Sequence, residues 1–115
     1  MKSTIIYKKW DIILVSFPFT DLKSEKRRPA LIISPDNYNQ SSNVVVSFVT
    51  SQLGRKYRPG DYHIQEWKKA NLPKPSMIRM KFATIDKSII KRKLGRLSEK
   101  DIKEFRKELV TFFEK

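Results

Sequence analysis

The feature that most constrains the fold is a series of short strand-like runs that yields to a helical period only near the C-terminus. Trp10 to Phe19 (WDIILVSFPF), Pro29 to Ser34 and Asn43 to Thr50 are rich in Ile, Val and Phe, and proline or polar residues close each one. The third run (NVVVSFVT) is the most strongly β in character. Pro18 marks a strand end or an edge position, and Pro35-Asp36-Asn37 reads as a turn. Thr20 to Arg28 (TDLKSEKRR) is polar and charged, which predicts an exposed loop or hairpin. Gly54–Gly60 and Lys68–Pro75 are loops by their glycines and prolines, and Asp61 to Ile64 fits a short strand. Ser76 to Phe82 alternates, with Met77, Arg79 and Lys81 on one face and Ile78, Met80 and Phe82 on the other. Ala83 to Ile90 has no clear period and fits a single helical turn, and Lys91 to Leu97 fits a last short strand.

From Ser98 the pattern changes. Ser98 and Asp101 have the spacing of a capping box, although Asp reaches back less well than Glu. Ile102, Phe105, Leu109, Phe112 and Phe113 then recur at helical spacing, one apolar stripe expected to pack on a core. Short strands with irregular loops and one closing helix predict a mainly β, α+β fold: a small, strongly bent barrel or sandwich capped by an amphipathic helix. At 115 residues, with no internal repeat or linker, the chain is expected to form a single domain over 1–115.

Charge is unevenly spread. The chain has 25 Lys+Arg against 12 Asp+Glu, a formal net of +13. From Ser98 onward five basic and five acidic residues balance, leaving 20 basic and 7 acidic groups to the first 97 residues. Charge confined to one part of a fold is the footprint of a polyanion-binding surface, with nucleic acid the default partner. The competing explanation is a lysine-rich proteome whose surplus lysines only solvate the surface.

Absences narrow the chemistry. Without cysteine there is no disulfide framework, thiolate nucleophile or Cys-based zinc site. One histidine rules out a two-histidine nuclease or a His-rich metal centre. The three glycines match no nucleotide-binding loop, and the scattered carboxylates argue against a two-metal nuclease, so neither metal nor cofactor is expected. No apolar run approaches a membrane span and MKSTIIYKKW lacks a signal-peptide core, so a cytoplasmic protein with no membrane partner is expected. What remains is arginine and hydroxyl chemistry. RNA carries its own nucleophile, the ribose 2′-OH. A protein that orients the phosphodiester and stabilises charge on the phosphorane oxygens can therefore cleave it to a cyclic phosphate and a 5′-OH. A guanidinium suits that role because it stays charged and its forked donors match phosphate oxygens.

The segments WDIILVSFPFTD, RRPALIIS and VVVSFVTS resemble the opening of the MazF/PemK family of toxin endoribonucleases. Ser76-Met77-Ile78-Arg79, then Ala83-Thr84-Ile85-Asp86-Lys87 and Leu94-Gly95-Arg96-Leu97, continue the likeness in order from about Trp10 to Phe113. The resemblance implies an SH3-like β-barrel with a C-terminal helix, working as a homodimer. It implies metal-independent, sequence-selective cleavage of single-stranded RNA, restrained by a cognate antitoxin. Arg28 and Thr50 match the family's catalytic arginine and threonine, and phosphate stabilisation is the role favoured for Arg28, a very weak acid. Arg27, Ser51, Gln52, Arg55, Lys56 and Arg79 are the expected RNA contacts.

Three positions depart from the family pattern. Trp10 stands where glycine is usual, so the turn into the first strand is expected to differ. Ala83 replaces a frequent arginine, and Arg79-Met80-Lys81 lacks the carboxylate of an Arg-x-Asp pair found in some members. The general base is left unassigned, and a non-catalytic nucleic-acid- or antitoxin-binding barrel is the alternative. His63 is expected to be structural. Trp10, Phe17, Phe19 and Trp67 could stack on bases, but the first three are assigned rather to core or dimer contacts.

Overall fold

The structure, a computed structural model, describes residues 5–17, 26–54 and 58–114. Pro18, Phe19, the Thr20–Glu25 stretch, Arg55, Lys56 and the Phe17 side chain lie outside what it describes. Six strands form one antiparallel sheet: β1 (Asp11–Phe17), β2 (Lys26–Ile32), β3 (Asn43–Thr50), β4 (Tyr62–His63), β5 (Met77–Asp86) and β6 (Ile90–Arg96), in the order β4-β5-β3-β2-β1-β6. The helix α1 (Glu99–Glu114) follows, giving the expected mainly β fold with a C-terminal helix.

The apolar runs are nearly continuous because the central strands are buried on both faces. Ile12, Leu31 and Val49 join Trp10, Ile78, Ile102 and Phe105 in a core beneath the helix. Ile13, Val15, Ala30, Ile32, Val44 and Val46 point the other way and pack with Tyr7 and Ile85. The helical stripe is only partly core: Ile102 and Phe105 are buried, whereas Phe112 and Phe113 are 38% and 65% exposed. They cluster there with Phe82, whose ring centroid is 5.3 Å from that of Phe113.

Several boundaries differ from expectation. β2 begins at Lys26, so the basic triplet Lys26-Arg27-Arg28 is strand rather than loop. β5 runs on to Asp86, and the helical turn is confined to a 3-10 turn at Lys87–Ile89. Alternation in β5 is also broken. Ser47 pairs with Phe82 and Val49 with Ile78, so Arg79, Met80 and Lys81 stand against Phe48 alone.

Two devices set the frame. The edge strands β4 and β6 share no ladder, and the loop after β4 spans the gap between them. Asn71 Nδ2 donates to Leu94 O at 2.8 Å, and a Cβ on Gly95 would lie 2.3 Å from Ala70 O. Only glycine admits that approach. Trp10 adopts φ 77°, the left-handed region glycine favours, so the backbone there takes the form a glycine would give it. The expected difference in the turn is therefore not seen at this φ, and the Trp10 ring packs edge-on against Phe105 with centroids 6.2 Å apart.

Candidate RNA-processing groove

The candidate site arises where two strands part. The β2–β3 ladder pairs Ile32 with Val46, Leu31 with Ser47 and Ala30 with Phe48, then stops. Its next residue is Pro29, which has no N–H to donate and so suits a position where β2 pairs with β1 alone. Continuing the register would set Pro29 against Val49 and Arg28 against Thr50. The diverging ends leave an open groove of ≈ 500 Å³ lined by both of those residues and by Arg27, Ser51 and Gln52. Lys26 and Lys74 add two more cations, and among the described residues no carboxylate lines it.

Both central residues are held from outside the gap. Arg28 pairs with Val15 of β1, and Thr50 with Met77 of β5. Arg28 is exposed, and no other described side chain pairs with its guanidinium. Thr50 is half-buried, and its Oγ1 accepts the Gln52 backbone N–H at 3.1 Å. With that lone pair engaged, the hydroxyl hydrogen is free to point at an anion in the groove. Ser51 and Gln52 are exposed beyond it on the turn that this hydrogen bond closes.

Arg79 is elsewhere. Its Nη2 lies 3.2 Å from Oδ2 of the buried Asp61, which also accepts the Arg58 N–H at 2.9 Å. The guanidinium therefore anchors the turn ahead of β4 and does not line the groove. A lone acid in a basic stretch was the only sequence signal for this pairing. His63 is exposed on β4, and Trp67 is half-buried against the core.

Buried carboxylates serve the frame. Asp101 is fully buried and accepts from Tyr62 Oη at 2.6 Å, Gln65 N at 2.9 Å and Glu66 N at 2.8 Å. The predicted cap exists in part, since Ser98 Oγ receives the Asp101 N–H at 3.2 Å. The carboxylate, however, ties the helix start to the β4 loop rather than to Ser98 N. Burial, then the Asp101 hydrogen bond and charge, push the Tyr62 phenol well above its usual value. Asp11 is likewise buried, 3.2 Å from Lys93 Nζ.

Residues 8–113 match the family model of PemK-like, MazF-like toxins of type II toxin-antitoxin systems. The chain belongs to the PemK/MazF toxin family. Solved structures share its fold at low identity. MazF from Deinococcus radiodurans superposes with TM-score 0.72 at 19% identity, covering 97% of this chain and 100% of that one. An endoribonuclease in complex with its cognate antitoxin, from a mycobacterial species, gives 0.72 at 16% identity over 91% and 92%. The Mycobacterium tuberculosis toxin MazF-mt6 gives 0.69 at 18% over 90% and 96%. No curated protein matches the chain by sequence. Among the described residues of this PemK/MazF chain, no group of His, Cys, Asp and Glu could hold a metal ion.

Proposed function

We propose that this PemK/MazF-family protein is a toxin endoribonuclease that cleaves single-stranded RNA without a metal or cofactor. The observation that carries the reading is the meeting of Arg28 and Thr50 across the parted ends of β2 and β3, in a groove lined, among the described residues, by four cations and no carboxylate. A phosphodiester seated there places its non-bridging oxygens against the Arg28 fork and the Thr50 hydroxyl. The ribose 2′-OH attacks the adjacent phosphorus and the 5′-oxygen leaves, giving a cyclic phosphate and a 5′-OH end. The two donors stabilise charge that grows in the transition state, the usual source of the largest rate gain. Arg27, Ser51 and Gln52 hold the flanking nucleotides, and Arg55 and Lys56, which follow them closely in the sequence, are proposed as further RNA contacts. Arg79 acts indirectly, by fixing the turn at Arg58 through Asp61.

The functional unit in this reading is a homodimer of one-domain subunits in the cytoplasm, held in check by a cognate antitoxin. The relatives solved with antitoxins support that partner. Among the described residues no helix is long and apolar enough to cross a membrane.

Incubation with long single-stranded RNA in EDTA tests the mechanism. Fragments ending in cyclic phosphate, lost in Arg28→Ala, are expected. A second reading, binding without cleavage, draws on Lys81 in place of a carboxylate and on the engagement of Arg79 by Asp61. RNA that is bound but left intact would establish it instead.

A further inference from the structure

A row of paired residues leads from the groove across β1 to β6. Leu14 of β1 pairs with Pro29 on one side and with Arg92 on the other, so Pro29, Leu14 and Arg92 form a row across three strands on one sheet face. Pro29 lines the groove. Leu14 is half-exposed, although Ile12, Ile13 and Val15 around it are all fully buried, and Arg92 is exposed. Antiparallel neighbours lie about 4.8 Å apart, so Arg92 stands roughly 10 Å from the groove wall. One residue further out the register shifts: Leu14 pairs with Arg92 but Val15 with Ile90, so Lys91 is the extra residue of a bulge. Bulges re-aim side chains and sharpen twist. Ser16 is the next residue on the Leu14 face and pairs with Arg27; its buried Oγ has no hydrogen-bond partner among the described residues.

We infer that Arg92, at the β6 end of this row, is a second phosphate-binding position for the single-stranded RNA held in the groove. The half-exposed Leu14 and Pro29 provide an apolar floor for a base, and a cation stands at each end of this face: Arg27, beside Ser16, on β2 and Arg92 on β6. The nearest described carboxylate on these strands, Asp11, is occupied by Lys93 and Arg96. Charge on an edge strand also blocks edge-to-edge aggregation, and that role alone would leave RNA binding untouched.

The inference rests on the proposed RNA-cleaving role, and one experiment separates the two. RNA cleavage is followed for wild type, Arg28→Ala and Arg92→Ala, and binding of an uncleavable 2′-deoxy-substituted strand is measured against salt. Arg92→Ala is expected to raise KM about three- to tenfold with kcat unchanged, and to flatten the log–log salt slope by about 0.7, one phosphate contact. Arg28→Ala should lose kcat. A wild-type salt slope and KM in Arg92→Ala, with cleavage intact, overturn the Arg92 position alone. Weakened antitoxin capture with RNA binding unchanged overturns it in favour of an acidic protein segment. Failure of wild type to cleave, with RNA still bound, sinks the enzymatic reading, while the salt slope still decides Arg92.

Discussion

At Thr50 the same hydroxyl serves backbone and ligand. Its oxygen accepts the Gln52 N–H, which leaves one hydrogen to donate. Thr50→Ser keeps both functions and should retain most activity, whereas Thr50→Val removes the donor and should lower kcat by about 10²-fold, the cost of one oxyanion donor. Steady-state cleavage of a defined RNA checks both. Trp10 raises a different question, because its ring is wanted by the core and its φ is suited to glycine. Truncating a buried Trp costs about 3–5 kcal/mol. Alanine ordinarily beats glycine in regular structure by about 0.5–1 kcal/mol, but a left-handed φ penalises any Cβ by about 1–2 kcal/mol. Trp10→Gly should therefore be at least as stable as Trp10→Ala in urea denaturation, the reverse of the usual order.

Between elements, the loop after β4 joins both sheet edges and also lines the groove. Gly95 lets Ala70 approach β6, and Leu72, Pro73 and Lys74 follow in the groove wall. Gly95→Ala should cost about 1–3 kcal/mol, the range for overpacking, and should raise KM as that wall shifts. Thermal melts and kinetics on one preparation test the link. Asp101 ties the helix start to the same loop through the Gln65 and Glu66 N–H groups, and to β4 through the Tyr62 hydroxyl. Because the folded phenol has a raised pKa, its stabilising contribution is complete below the unfolded value of 10.0 and declines as pH rises through and above it. Stability should fall more steeply between pH 9.5 and 11.5 in wild type than in Tyr62→Phe, by about one proton's worth of slope. Equal slopes would refute this.

Over the whole molecule, the charge balance from Ser98 onward leaves the +13 excess to the first 97 residues. Among the described residues four cations line the groove, and Arg92 lies beyond it. With about 0.7 of slope for each phosphate neutralised on a single strand, RNA affinity should fall with a log–log salt slope of roughly −3. A slope near zero in a filter-binding titration would mean that the excess charge only solvates the surface.

The local text of the chain was enough to determine the strand runs, the terminal helix, the basic surplus and the Arg28–Thr50 candidates. Burial leaves a period of two or 3.6 in the order of side chains, and the ordered motifs carry the family likeness. Other features depend on residues distant in sequence. A groove opens at Pro29 because the β2–β3 ladder ends one residue short of it while β3 runs on beside β5, and Arg79 is drawn away by Asp61, 18 residues earlier. Arg92 reaches the same row through Leu14, while Phe112 and Phe113 overrun the core that their spacing predicted. Periodicity records which side of an element is buried, but not where the neighbouring strand ends or which charge stands across it. Those depend on cross-strand register and long-range packing, and only the tertiary structure decided them.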